Sequence, residues 1–381
     1  MKSFYDKSFK LGILGGGQLG RMLLRETNNL DVKTHIVDPS ENAPCNELAN
    51  SFTVGDFNDA NTVFEFGKEM DVVTIEIENV SVEGLERLKA EGVQVFPDPK
   101  ILSTIKDKGK QKQFYAENGI STSDFRLAEN RSDAASKISE YPVVQKLRTG
   151  GYDGRGVQVL RSEADLEKGF DEPSLLEDFV DFEKEISVIV SRNAKGETRT
   201  FPLVELDFNP EANLVEFLFS PADVSDSVER KAFDLAKQVV DAFDYVGILA
   251  VEMFVTKTGD VLVNEVAPRP HNSGHHTIEA NATSQYMQHL RSILGLPLGD
   301  TSIVRPAVMY NLLGDPNHKG PVKYQGIEEI MSWPGVNVHI YGKAETKPFR
   351  KMGHVTITAD TLEEARKLAK KVQQTVKVVS Q

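Results

Sequence analysis

The sequence predicts an α/β chain: a parallel βαβ sheet first, an α+β centre, and a small β-rich module last. Three observations carry this reading. Short apolar strands alternate with helical patterns over the first hundred residues. Two glycine-rich stretches follow strands in different contexts, one leading into a helix and one into another strand. Finally, the stretch VEMFVTKTGDVLVNEVAPRPHNSGHH, residues 251–276, reads as a tight hairpin that sets two glutamates opposite each other.

In the first part, the strand Leu11–Leu14 leads into Gly15-Gly16-Gly17-Gln18-Leu19-Gly20. A helix follows, with Leu19, Met22, Leu23 and Glu26 at helical spacing, and Asn28-Asn29 ends it. Strands are expected over Thr34–Val37, ending in Asp38, over Val72–Ile77, which carries Glu76, and over Val93–Phe96. A helix is expected over Val82–Ala90. Gly15, Gly17 and Gly20 with Asp38 satisfy a dinucleotide fingerprint, so a nicotinamide oxidoreductase is a rival reading. The physical content is narrower. A glycine turn at a helix N-terminus offers amides to any anion, and a phosphate ranks above glycines that serve packing alone.

In the centre, a helix beginning at Lys106-Asp107-Lys108 is expected to stop at Gly119. The strand Pro142–Leu147 carries Lys146. Thr149–Gly156 then joins it to the strand Val157–Leu160. Strand-to-strand context excludes a Walker or dinucleotide loop, and four glycines in seven residues suit a mobile lid over phosphates. Lys146, Arg148 and Arg155 favour an anion beneath it. Leu175–Val180 reads as an edge strand running into a linker, with Glu177 and Glu185 eight residues apart. Ile186–Val190 is the next strand. Ser227–Phe243 is a helix whose face Ala232, Leu235, Ala236, Val239, Val240 and Phe243 belongs to the core.

For the hairpin, strands are expected over Leu249–Val255 and Asp260–Val266, with Thr258-Gly259 as the two loop residues. Facing positions then pair Glu252 with Glu265, and Asn264 lies beside them. Opposed like charges destabilise a sheet. A hard cation between them, Mg²⁺ carrying phosphates, gives the arrangement a purpose.

Bulk properties narrow the class. The chain has 381 residues and a net charge of −13, which excludes a general nucleic-acid or acidic-membrane surface. A single cysteine, Cys45, permits no internal disulfide and suits a reducing, cytoplasmic setting. The N-terminus lacks the apolar core of a signal peptide, and no apolar run approaches a membrane span.

Taken together, GGGQLGRM, EIENV, GGYDGRG, FEKEISVIV and NEVAPRPHNSGHHT resemble the ATP-grasp superfamily. More closely, they are similar to the N5-carboxyaminoimidazole ribonucleotide synthetases of purine biosynthesis. The likeness runs from about Leu11 into the C-terminal region. It implies three domains: a Rossmann-like pre-ATP-grasp domain over 1–104, an ATP-grasp domain over 105–294 with its lid at 149–157, and a C-terminal domain over 295–381. It implies ATP- and bicarbonate-dependent carboxylation of 5-aminoimidazole ribonucleotide through carboxyphosphate, with ATP and two Mg²⁺ ions as cofactors and a homodimer as the assembly.

The resemblance also implies site residues. Lys108 and Lys146 contact the nucleotide. Gly151, Tyr152, Asp153, Gly154, Arg155, Gly156 and Val157 form the lid. Glu177, Asp178, Phe179 and Val180 hold adenine, Glu185 holds ribose, and Asn264 adjoins the ATP site. Glu252 and Glu265 bind metal. Gly16, Gln18, Leu19, Glu76, Asn272 and Ser273 lie at the ribonucleotide. Arg269, His271, Tyr152, Asp153 and Arg155 serve catalysis, His271 either as a base for the amine or as a support for Arg269. In the C-terminal module the basic cluster Lys343, Lys347, Arg350 and Lys351 is assigned to the substrate 5′-phosphate. Strands there are expected over Ala307–Asn311, Val336–Tyr341 and His354–Thr358, before a last helix opened by a Thr361/Glu364 capping box. Two rivals stand beside this reading: a formyl-transferring ATP-grasp enzyme and a non-catalytic nucleotide-binding protein.

Overall fold

The computed structural model describes residues 2–151, 156–209 and 214–381. The first hundred residues form β1 (Leu11–Leu14), α1 (Gln18–Asn29), β2 (Thr34–Asp38), β3 (Ser51–Val54), α2 (Ala60–Gly67), β4 (Val72–Ile75), α3 (Val82–Ala90) and β5 (Gln94–Phe96). They build a parallel sheet in the order β3-β2-β1-β4-β5. β1 and β4 are buried throughout, which explains their unbroken apolar runs. β3 and α2 lie outside the sequence reading. β3 is an edge strand with three exposed residues, so it lacks the apolar run that marks its neighbours. The strand expected to reach Ile77 stops at Ile75, leaving Glu76 at the sheet's rim.

The helix expected from Lys106 is two helices, α4 (Pro99–Lys106) and α5 (Lys108–Glu117). Asp107 divides them. Its backbone is extended, and its carboxylate accepts from the amides of Gly109 and Lys110, restarting the chain as a new helix. The next elements are β6 (Phe125–Ala128), α6 (Arg131–Lys137), β7 (Val143–Leu147), β8 (Val157–Leu160) and β9 (Ser174–Asp178). Their antiparallel sheet runs β6-β9-β7-β8, so β9 is an inner strand rather than the expected edge.

The rest comprises β10 (Phe182–Arg192), β11 (Thr198–Thr200), β12 (Val204–Asn209), β13 (Leu214–Ser220), α7 (Asp226–Ala242), β14 (Gly247–Thr256), β15 (Val261–Ala267), α8 (Thr277–Ala280), α9 (Gln285–Ile293), β16 (Ala307–Leu313), β17 (Gly320–Gln325), α10 (Ile327–Ile330), β18 (Val336–Ile340), β19 (Glu345–Thr346), β20 (Lys351–Thr358), α11 (Leu362–Thr375) and β21 (Lys377–Ser380). A large antiparallel sheet runs β15-β14-β10-β12-β13-β16-β20-β18, with β11 on β10. Because β13 pairs with β16, this sheet continues through residue 295 without a break.

α7 covers one face of β10, β14 and β15. Ala232, Ala236, Val239 and Val240 meet Ile186, Val188, Val251 and Met253 in one core. Alternation then turns Glu185, Ser187, Glu252 and Phe254 to the other face, where Ser187 opposes Glu252 and Glu185 opposes Phe254. That face is the floor of a cleft.

The capping box on α11 is present: Thr361 Oγ1 accepts from the Glu364 amide, and Glu364 accepts from the Thr361 amide, both at 3.2 Å. Thr361→Ala is expected to cost about 1 kcal/mol of stability in a urea titration.

Candidate active site

The floor of the cleft depends on one extra residue. The β14–β15 loop has three residues, not the expected two: the Thr256 amide donates to Asp260 O, and Gly259 closes the turn at φ +78°. Near the loop Met253 pairs with Val263, a register that would set Glu252 against Asn264. A bulge between Glu252 and Met253 shifts it, and Glu252 pairs with Glu265 after all. Val261, Val263 and Val266 point into the α7 core. Asn264 and Glu265 are therefore consecutive residues on the same face. The uneven apolar spacing 261, 263, 266 is the sequence signal that gives the bulge away.

Opposing the two carboxylates separates their acidities. Burial, with Glu265 and Glu185 nearby, pushes the Glu252 carboxyl well up. Lys108 holds the Glu265 carboxyl down, through a short ion pair that joins the start of α5 to β15. Burial pulls the Lys108 pKa down, and the charges of Glu265, Glu177 and Glu252 more than offset it, so that it is raised overall. Lys146 reaches the same face from β7, its Nζ donating to Asn264 Oδ1 at 2.9 Å.

Glu177 differs from its expected role. Its side chain does not face the linker. It is buried between Lys146 and Lys112, 2.5 Å from each. Burial alone would raise its pKa, but the two lysines hold it down at about 2. Sequence reasoning misses Lys112, which has no distinguishing motif; only the fold brings it to Glu177. The chain leaves the sheet after Asp178, and Asp178 itself pairs with Arg126. Of the linker residues, Phe179 is exposed and Val180 half-buried. Phe182 stacks on Phe254, with ring centroids 4.8 Å apart. Glu185 stands beside them on the cleft face. Burial raises it to about 7, Lys146 opposing and Glu265 adding to the shift.

The glycine turn before α1 overturns the expected phosphate site. Glu76 Oε2 accepts from the amides of Leu19 and Gly20 at 3.2 and 3.1 Å, and Asp38 Oδ2 accepts from Gly16 at 2.8 Å. The amides at the helix N-terminus already meet a carboxyl group, and the chain supplies it. The glycines make room for that acid: a Cβ on Gly17 would lie 2.6 Å from Glu76 Oε1, and one on Gly15 2.6 Å from Glu76 Cγ. Asp38 is likewise engaged, accepting from the Gly16 and Ser40 amides at 2.8 Å. Burial raises the Glu76 carboxyl against the pull of the Gly20 amide and Arg269. Gly16 and Leu19 are buried, while Gln18 keeps its side chain partly open.

After β15, Arg269 pairs with Glu78 at 2.7 Å and donates to Pro270 O. His271 Nδ1 accepts from the Ser273 amide at 3.3 Å and contacts Ser273 Oγ. The proton of the neutral ring is then on Nε2, which faces Glu252 Oε1 at 3.5 Å. That contact sets His271 beside the expected metal ligand Glu252. Ser273 Oγ also meets Ser187 Oγ, and Asn272 forms a reciprocal amide pair with Asn311. Both side chains, expected at the substrate, are engaged within the protein.

In the basic loop, Lys343 Nζ donates to Lys351 O and Arg350 to Glu345 O, while Lys347 is exposed. Of this cluster it is Lys351 whose charge reaches Glu252, alongside that of Lys108. Of the lid, Gly151, Gly156 and Val157 are described, Val157 pairing with Lys146. Tyr152, Asp153, Gly154 and Arg155 lie outside the described residues. Among the described residues no group of three acids, histidines or cysteines could hold a metal, and no helix is long and apolar enough to cross a membrane.

Comparisons with known proteins agree on one family. Residues 8–106 match the ribonucleotide synthetase preATP-grasp domain, 113–286 the ATP-grasp domain, and 307–368 the phosphoribosylaminoimidazole carboxylase C-terminal domain. The chain is similar to the chloroplastic phosphoribosylaminoimidazole carboxylase of Vigna aconitifolia, 39% identical over 361 residues. That alignment covers 92% of this chain and 64% of the relative. The chain thus spans roughly two thirds of the length of the first curated relatives it matches. N5-carboxyaminoimidazole ribonucleotide synthetase from Thermotoga maritima superposes with a TM-score of 0.91 at 40% identity, over 98% of this chain and all of that one. The Aspergillus clavatus N5-carboxyaminoimidazole synthase, solved with ADP and 5-aminoimidazole ribonucleotide, gives 0.88 at 34% identity over 96% and 98%.

Glu185 sets a pH dependence. Its folded pKa of about 7 lies above the ordinary carboxylate value, so the folded state binds the extra proton. Its contribution is full below about pH 4 and is lost as pH rises through 7. Between pH 5 and 8 the melting temperature of the ligand-free protein should fall more steeply than that of Glu185→Gln. Parallel curves would contradict the shift.

Proposed function

The chain belongs to the N5-carboxyaminoimidazole ribonucleotide synthetases, ATP-grasp ligases, and we propose that it carboxylates the exocyclic amine of 5-aminoimidazole ribonucleotide with ATP and bicarbonate. The observation that carries this reading is the bulged hairpin, with Glu252, Asn264 and Glu265 on one face opposite Lys108 and Lys146. The relative from Aspergillus clavatus, whose complex contains ADP and the aminoimidazole ribonucleotide, supports the same pair of ligands here.

Glu252 and Glu265 fit a divalent cation. Two partly exposed carboxylates face each other across the cleft floor, and desolvation beside Glu265 leaves Glu252 reluctant to ionise, a cost that a cation between them removes. With only two protein ligands, the remaining positions fall to phosphates and water, as Mg²⁺ prefers. When bound, Mg²⁺ neutralises charge on the β- and γ-phosphates. Lys146 and Lys108 add positive charge at the same place. We place the adenine at the linker residues Phe179 and Val180, next to the stacked Phe182–Phe254 pair, and its ribose at Glu185.

Bicarbonate oxygen attacks the γ-phosphorus, the bond to ADP breaks, and carboxyphosphate forms. The substrate amine then attacks the carboxyl carbon, expelling phosphate and losing one proton. Arg269, held by Glu78, presents its planar guanidinium to the carboxyl group. His271 steadies Glu252. Carboxyphosphate is labile in water, which gives the 149–157 hairpin its purpose as a cover. Lys343, Lys351 and Arg350 supply positive charge for the 5′-phosphate. We place the boundaries between units at 104/105 and 294/295, and read the protein as a cytoplasmic homodimer.

ADP release should require both bicarbonate and the aminoimidazole ribonucleotide. Glu265→Gln should lower it by about a hundredfold or more with the fold intact by circular dichroism. Near-normal turnover in that variant would remove the cation assignment.

A further inference from the structure

The charges beneath Lys146 do not balance as a simple ion pair. Glu177 faces two lysines, one on each carboxylate oxygen: Lys112 on Oε1 and Lys146 on Oε2, both at 2.5 Å. Lys112 is 2% exposed and cannot touch a ligand in the cleft. Its three protons are all engaged, by Glu177, by Ser123 Oγ at 3.0 Å and by Thr122 Oγ1. The hydroxyl directions close consistently. Ser123 donates onward to Glu177 at 3.0 Å, and Thr122 to Val263 O at 2.6 Å, on the strand that carries Glu265. Among the described residues Lys146 has two protons engaged, by Glu177 and Asn264, which leaves one to donate into the cleft.

We propose that Lys112 is a positioning residue: it cancels the charge of Glu177, so that Lys146 is held in place by that carboxylate yet still presents a full positive charge to the ATP phosphates. The arithmetic is direct. Glu177 with Lys146 alone is neutral, whereas Glu177 with both lysines carries +1. A buried pair fixes geometry well but neutralises the charge that phosphoryl transfer uses. The second lysine separates those two effects. The inference rests on the ATP-site reading above and adds a residue that touches no substrate.

The test is MgATP binding by calorimetry, with steady-state kinetics, on wild type, Lys112→Met and Lys112→Met/Glu177→Gln. Lys112→Met should weaken MgATP about tenfold and lower kcat, while the KM values for bicarbonate and the ribonucleotide stay within about twofold. Removing the acid as well restores the net charge but also releases the Lys146 ammonium, so the double variant should recover most of the loss, though not all of it, to within about threefold of wild type. A double variant as weak as Lys112→Met, or weaker, makes Lys112 a plain core residue and overturns the proposal. Should Lys112→Met fail to fold, the double variant alone decides: it must fold and bind within about threefold, and a tenfold loss there refutes the idea. Wild type that binds no MgATP would instead refute the ATP-site reading itself.

Discussion

Two carboxylates are held face to face on a sheet, and the rest of the cleft depends on that constraint. The pairing exists because β15 carries one more residue than β14 opposite it. Without the bulge, alternation would place Asn264 opposite Glu252 and turn Glu265 toward the α7 core, where an ionised acid has no partner. With it, three polar side chains share one face and α7 keeps its three valines. Lysines from two other elements then converge on that face: Lys108 from the start of α5 and Lys146 from β7. Each lysine is where it is because a neighbouring acid sets its surroundings, Asp107 by capping α5 and Glu177 by binding the Lys146 ammonium.

Much of this is legible in the sequence, and the failures are instructive. The opposition of Glu252 and Glu265 follows from a two-residue loop that does not exist; a three-residue loop and a bulge give the same pairing because their register shifts cancel. The glycine fingerprint marks amides left free by the turn but not the group that takes them. A motif reports that amides are available, and it cannot report that Glu76, 57 residues from Leu19, reaches them first. Glu177 reads as a surface or linker acid because a period of two does not distinguish an edge strand from an inner one. Lys112 leaves no trace at all, since a buried lysine on a polar helix looks like any solvated one until tertiary packing closes over it.

The C-terminal module shows the same limit at larger scale. Its strands and its capping box read clearly, yet nothing local indicates that β16, β20 and β18 extend the sheet that bears Glu252. Long-range pairing of antiparallel strands depends on which edges remain free after the other elements have packed.

That shared sheet has a consequence for how the molecule can be cut or inherited. β13 pairs with β16 over Phe217–Ser220, and its sequence, Leu-Val-Glu-Phe-Leu-Phe-Ser, is among the most apolar in the chain. Severed after α9, the remaining piece would end in a raw, greasy ribbon ready to recruit strangers. The tail is thus less an appendage than a seam. Fusions and shuffled ancestors could join partners beyond it, but not across it.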